Sequence, residues 1–373
     1  MKKAHEIMEQ MSLEDKINMF NKYALTSSGR FSYHEGDEYK YDKVNKFLSQ
    51  QGQIELAMTT REIALSDMYI AYAVILLGAA DIQAVQMMLE YLHKKWPDKL
   101  IPYGLPIDAL KNRLNKLANS GCVRSVGIVN SNGNICSHFF TVPEIGALCV
   151  RRALALHKFY YDPTSLLDKE FMIYRRLVVS RVIAYMLKCP QSIDVKCMSE
   201  LFDPVHKVKF NIWGNLIATD ETGKTTQIII EPLMFKSDPH IKTSAEVEND
   251  IKDRLAALGG KVARFKQDEE KYDDIKFVFI IEDFDCLNKA IKMVLNASVD
   301  MAERSFFTSE RLISLNEGYL PRSFYALRMN NFENGEQKPA IVLAEDAALF
   351  GVDDKRFAKL TAEHLVKLGL AEE

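Results

Sequence analysis

Apolar residues recur along this chain first with helical spacing and later with strand spacing, and the change falls near residue 205. Ser66 or Asp67 can cap an apolar run that reaches Leu77 before Gly78. Asp81 can cap a second run, DIQAVQMMLEYLHKKW, which stops at Pro97. A third helix is expected after Tyr103-Gly104, with Pro106 in its first turn, Leu110, Leu114 and Leu117 on one face, and Gly121 at its end. Two β-rich runs follow, CVRSVGIVN and NICSHFFTV, joined across Ser131-Asn132-Gly133. Asn-Gly is the strongest short hairpin signal a sequence offers.

Helix, helix, helix, hairpin is the order of a winged helix-turn-helix. Ahead of it, residues 1–60 read as two helical pieces, about 3–24 and 40–50, split by the polar turn TSSGRFSYHEGDE. Behind it come PEIGALCVRRALALHKFY and a helix from about Ser165 to Lys188, apolar enough to pack on the hairpin and serve as connector or dimer surface. CPQSIDVKCMSELFDP reads as a linker. From Val205 the strands VHKVKFNIWGNLIAT and TTQIIIEPLMF flank a turn at DETGK. A helix from Thr243 to Leu258, ended by Gly259-Gly260, precedes the strand IKFVFII, a helix from Asp285 to about Asn296 and the strand RSFFTS. This order fits a compact α/β domain with a mixed sheet. IVLAE and a helix from Asp354 to Leu368 close the chain without an assigned place.

Composition narrows the class. The 373 residues are 47% hydrophobic and 27% charged, with only 17 Gly and 11 Pro, which excludes disordered and collagen-like chains and leaves room for two or three domains. The longest apolar run, Met68 to Ala80, is 13 residues, short of a membrane span. The first residues lack the continuous apolar core of a signal peptide, and the six cysteines form no C-x-x-C pair, so a cytoplasmic protein with reduced thiols is expected. A zinc site on Cys122, Cys136 and His138 would need a distant fourth ligand, and apolar packing is the preferred reading. No cofactor is expected.

Charge adds a functional clue to the −3 net balance. From Tyr91 to Tyr160 ten Lys or Arg face three acids, a local +7 that leaves −10 for the remainder, whereas Glu246 to Asp285 holds twelve acids and seven bases. A basic half joined to an acidic half suggests that one part meets a polyanion. On the third helix Asn112, Arg113 and Lys116 are the candidates for reaching DNA, Asn or Arg at base edges and Lys at phosphate. Lys111, Asn119, Arg124, Asn132 and Asn134 are candidate backbone contacts. Asn115 lies on the same side of the helix as Lys111 and Asn112.

ATDETGKT, Ala218 to Thr225, matches a loose phosphate-loop pattern. That chemistry needs a helix opening at Gly-Lys-Thr, but a β-branched run with Pro232 follows, and Asp220 and Glu221 would put negative charge in the cradle. A polar hairpin turn with Gly223 at its tight position is the expected structure.

Over residues 61–310 the element order resembles the replication-relaxation family of plasmid and mobile-element proteins, in which a winged helix precedes a domain of the PD-(D/E)XK nuclease fold. WGNLIATDETGKTTQIIIEPLM, FVFIIEDFDCLNKAIKMVL and SFFTSERLI carry the likeness in the second part. Glu231 matches the family's strand-end glutamate. Asn215 stands where the family has an acid, and Leu233 where a nuclease carries Lys. The resemblance implies an α+β chain: a helical preface over 1–60, a winged helix-turn-helix over 61–160, a helical connector over 161–204, a restriction-endonuclease-like α/β domain over 205–350 and a terminal helix over 351–373. It further implies a non-enzymatic, sequence-specific DNA-binding protein of a plasmid, phage or integrative element, acting in replication or transfer initiation or its regulation. Double-stranded DNA is the expected partner, with a homodimer and replication or transfer proteins beside it and no membrane. The alternative is a metal-dependent nuclease using Glu231 with Asp220 or Asp238, and Lys236 as its cation.

Overall fold

A computed structural model describes residues 38–41, 50–129, 135–156, 170–188, 192–196, 199–203, 208–220, 222–235, 244–266, 272–282, 286–315, 324–331 and 337–343. The chain is mixed α+β. Its described elements form a helical part with a four-stranded sheet, then a seven-stranded mixed sheet covered by helices on both faces.

The first part opens with β1 (Glu38–Tyr41) and α1 (Gln50–Thr59). β1 corrects the sequence reading, which starts a helix at residue 40. Glu38 to Tyr41 pair antiparallel with Val129 to Val126, and the ladder satisfies backbone groups that a solitary short helix would leave to water. Next come α2 (Asp67–Leu77), β2 (Ala79–Ala80), α3 (Ile82–Lys95), α4 (Ile107–Asn119), β3 (Arg124–Val129) and β4 (Ile135–Thr141). The expected helices and hairpin strands are all present, and β2 adds two further residues to the hairpin sheet, whose order is β1-β3-β4-β2. Asp81 caps α3 as expected, its carboxylate accepting from the Ala84 amide at 2.8 Å. Gly78 must be glycine for two reasons: its φ is +79°, and a Cβ there would stand 2.2 Å from Nε of Arg176. α5 (Glu144–Ala153) follows the hairpin. The expected helix over 3–24, the hairpin turn at 130–134 and the helix over 354–368 lie outside the described residues.

α6 (Glu170–Met186) joins the two parts, and every side chain from Arg175 to Met186 is buried. Buried on all sides over this stretch, such a helix must have neighbours all round. α2, α3 and β2 lie against one side of it and the large sheet and its following helix against the other. A single apolar cluster therefore runs from Leu76, Val85 and Leu89 through Val179, Val182 and Ile183 to Leu216, Ile228 and Val278. The helix is an inner layer, so the expected dimer surface on it is corrected. Its guanidinium groups tie the parts by polar bonds. Arg181 pairs with Asp81 and donates to Oε1 of Gln83 at 3.1 Å. Arg175 donates to the carbonyl of Met234 at 3.0 Å, and Arg176 to that of Trp213.

The residues read as a linker supply β5 (Ser192–Lys196) and β6 (Ser199–Asp203) instead. Hydrophobic alternation over SIDVK is too short to stand out, but β5 gains a full antiparallel ladder against β8. The run from Val205 to Thr219 is also two strands, β7 (Val208–Ile212), which pairs with β6, and β8 (Gly214–Thr219). Beyond them lie β9 (Thr225–Leu233), α7 (Ser244–Lys266), β10 (Asp274–Ile281), α8 (Leu287–Ala297), α9 (Val299–Glu303), β11 (Ser305–Thr308), α10 (Glu310–Leu315), β12 (Tyr325–Asn331) and β13 (Gln337–Leu343). The sheet order is β13-β12-β11-β10-β9-β8-β5, with β9, β10 and β11 parallel to one another and the remaining pairs antiparallel. β9 and β10 read as nearly unbroken apolar runs because both faces are covered. One face carries Ile228, Ile230, Val278 and Ile280 toward α6; the other carries Ile229, Leu233, Phe277 and Phe279 toward α7 and α8.

α7 does not end at Gly259-Gly260. It continues for two turns because Leu258 and Val262 extend its buried stripe, and Gly259 lets it approach Ser298, whose Cβ would lie 3.2 Å from an added methyl. That packing outweighs about 1 kcal/mol of helix propensity lost at each glycine. No described helix is long and apolar enough to cross a membrane.

A core shared through α6 should unfold as one unit. The chain's two tryptophans, Trp96 and Trp213, report on the two parts, so Trp96→Phe and Trp213→Phe proteins should show coincident urea midpoints by fluorescence; separate midpoints would sink the shared core. Arg181→Ala should lower stability by about 3–5 kcal/mol, because it strands the buried Asp81 carboxylate.

Candidate nucleic-acid interface

α4 is fixed by what it buries. Leu110, Leu114 and Leu117 are fully enclosed, each contributing about 1.5–3 kcal/mol of apolar burial. That commitment fixes the rotation of the helix and leaves Asp108, Lys111, Asn112, Asn115, Lys116 and Asn119 exposed. None of these six side chains has a hydrogen bond or ion pair among the described residues. The helix leads through Gly121, with φ +78°, directly into β3, and the exposed Arg124 opens that strand. His138 is exposed on β4. Asn132 and Asn134 lie outside the described residues.

Arg113 is placed differently from its neighbours. Its Nη1 donates to Oδ1 of Asp67 at 3.0 Å, and the other Asp67 oxygen accepts from the Ala64 amide at 2.9 Å. Arg113 thus ties α4 to the start of α2, and reaching a base would mean leaving a carboxylate that is itself buried. Asn115, by contrast, is as free as Asn112 and belongs with the candidate contacts; its signal is helical spacing, three residues beyond Asn112 and four beyond Lys111.

The strand-end glutamate occupies a second, very different place. Glu231 is 2% exposed at the end of β9, on the face toward α7. Both of its oxygens are held by Arg254 of α7, through Nε and through Nη2 at 2.7 Å. The Arg254 guanidinium also lies 5.9 Å from the centre of the Trp213 ring. Such a fork takes up one lone pair of each oxygen and neutralises the charge that would draw a metal ion. Around it, Asn215 accepts from Gln227 Nε2 at 3.1 Å, and Leu233 is 1% exposed in the apolar cluster beneath α7 and α8. Arg175, buried nearby, has its pKa pushed down by that burial, against the raising influence of Glu231.

Asp220, one proposed partner of Glu231, does not come to it. Asp220 sits in the turn before β9, and the six residues from Thr225 to Glu231 span about 20 Å at strand rise. There its carboxylate accepts from the Thr222 hydroxyl at 2.6 Å, the Thr222 amide at 2.8 Å and the Lys224 amide at 3.0 Å, and the Thr222 hydroxyl bond first of all holds it below the ordinary carboxylate range. The same bonds dispose of the phosphate-loop reading. The amides at Thr222 and Lys224 face an aspartate, Gly223 adopts φ +84°, and a strand follows where a helix is required. Asp238 and Lys236 lie outside the described residues. Cys122 is buried in the first apolar cluster and its thiol is pushed up to about 12 by that burial; among the described residues no three His, Cys, Asp or Glu side chains gather as a metal site.

No protein-family model, curated protein or solved structure matches this chain.

The Glu231 fork should behave as a structural pair. Arg254→Ala should destabilise by about 3–5 kcal/mol by leaving a buried carboxylate unpaired, whereas Glu231→Leu with Arg254→Leu should recover most of that loss in urea denaturation. A double variant as unstable as Arg254→Ala alone would show that the pair has another role.

Proposed function

We propose that this chain binds duplex DNA through α4 and the β3–β4 hairpin, as a winged helix-turn-helix, and that the seven-stranded sheet is a nuclease-like scaffold that does not cut. The observation that carries the reading is the division of α4: three leucines hold it to the core while exposed lysines and asparagines, with no hydrogen bond or ion pair among the described residues, fill its outer face. Support comes also from the order α2-β2-α3-α4-β3-β4, in which β2 closes the hairpin sheet beside β4, and from the basic excess of residues 91–160. In such a module the third helix enters the major groove and the hairpin rests on the backbone. A role at a plasmid or mobile-element origin, or in transcriptional regulation, is the process in which this binding would serve.

For the scaffold, the antiparallel β5-β8-β9 meander followed by the parallel β10 and β11 is consistent with the nuclease-like fold. Hydrolysis of a phosphodiester needs several carboxylates converging on a cation and a group that activates water. Glu231 is engaged by Arg254 on both oxygens, Asn215 is a neutral amide bonded to Gln227, and Leu233 offers nothing to a phosphate.

Because α6 is common to both parts, the test uses the full chain. Affinity for duplex DNA should fall with salt, log K against log salt having a slope of about −4 to −5 if four to six basic groups meet phosphates. Lys111→Glu with Lys116→Glu should flatten that slope by about 2. A slope near zero, or one unchanged in the double variant, contradicts the assignment. Supercoiled DNA incubated with magnesium or manganese should remain uncut; nicking that vanishes in Glu231→Ala protein would instead establish the nuclease.

A further inference from the structure

We propose that the crest of α4 is an asparagine ladder, Asn112, Asn115 and Asn119, that reads adenines in the major groove, with Lys111 and Lys116 straddling it on the phosphates. The inference rests on the DNA-binding reading and adds the bases that are read and the residues that read them.

The argument begins with rotation. At 3.6 residues per turn successive residues are about 100° apart, so Leu110, Leu114 and Leu117 define a buried direction and the opposite direction passes between Asn112 and Asn119. Asn115 and Asp108 lie within about 50° of that crest on one side, and Lys116 within about 55° on the other. Lys111 and Lys116 are therefore about 140° apart, one on each flank of the asparagines. Arg113 lies beyond Lys116 and is taken up by Asp67. No cation stands on the crest.

Chemistry assigns the roles. An ammonium is a point charge suited to phosphate, and the two flanks of a helix in a groove are where the phosphate rows run. A primary amide offers one acceptor and two donors, matching adenine N6–H and N7 side by side, whereas guanine presents two acceptors and is better matched by Arg or Lys. With Arg113 withdrawn, the face aimed at the bases holds amides and one carboxylate, Asp108, which can accept from cytosine N4. The three asparagines are exposed and make no hydrogen bond among the described residues, so engaging a base breaks none of the described hydrogen bonds. From Asn112 to Asn119 the helix rises about 10 Å, the span of about three base steps.

The experiment is selection of binding sites from a randomised duplex pool by the full chain and by Asn112→Ala and Asn115→Ala proteins, with affinity for the selected duplex and for random duplex measured by fluorescence anisotropy. Selected sites should carry at least two adenines within about four base pairs. Each variant should lose the preference at one adenine and keep the rest, with about 10- to 100-fold weaker binding to the selected duplex and less than about twofold change on random duplex. Thermal melting of each variant should match the parent, since both side chains are exposed and unbonded. Variants that return the parent's consensus, or a parent that binds duplex without selecting adenine, overturn the ladder and leave DNA binding standing. A chain that binds no duplex removes both readings.

Discussion

The buried arginines of α6 are the constraint on which the rest of the structure depends. A guanidinium enclosed in protein is tolerated only where acceptors are already in place, and here they come from both sides. Asp81 and Gln83 at the start of α3 receive Arg181, while the carbonyls of Met234, just past the end of β9, and Trp213, just before β8, receive Arg175 and Arg176. Asp81 has a second duty as the cap of α3. One carboxylate thus sets where α3 begins and where α6 lies against it. Arg176 in turn crowds Gly78, the turn that leads from α2 to β2. The hairpin sheet, the helical part and the large sheet are positioned against one helix.

This arrangement gives the two faces of the large sheet different characters. The α6 side is a dry continuation of the helical core. The α7 side admits polar groups and pairs them, Glu231 with Arg254 and Asn215 with Gln227. A buried ion pair contributes little net stability compared with an apolar pair of the same volume, so its persistence speaks for orientation of α7 over β9 more than for energy. The geometry that engages the Glu231 carboxylate is the same geometry that holds α7 on the sheet.

Charge is divided in parallel with this architecture. The basic excess lies in the part whose outward helix face is unencumbered, and the acidic excess in and around α7 and β10, far along the chain. In the proposed binding mode, a polyanion that met the first part would be repelled by the second. Full cationic charge also sits on the flanks of α4 while its crest is amide, so in the proposed binding mode attraction and base reading fall to different residues.

Local signals in the sequence determined a great deal: Asp81 as a cap, Gly78 and Gly121 as stops, the leucine spacing of α4, the Asp220 turn with Gly223, and the two-sided burial of β9 and β10. Each depends on a few neighbouring residues and on backbone sterics, so it can be read without the fold. The outward position of Lys111, Asn112, Lys116 and Asn119 follows from the same leucine spacing. Tertiary structure decided what depends on residues far apart. β1 and β5 are strands because distant strands offered them a ladder; β7 separates from β8 because it pairs with β6; α7 passes its two glycines because Leu258 and Val262 are buried on either side of them. It also decided that Arg113 turns to Asp67 and that Glu231 is held by Arg254. Nothing in the spacing of those four residues announces the pairs, since 46 positions separate the first and 23 the second, and only the packing of helix on helix and helix on sheet brings the opposite charges together.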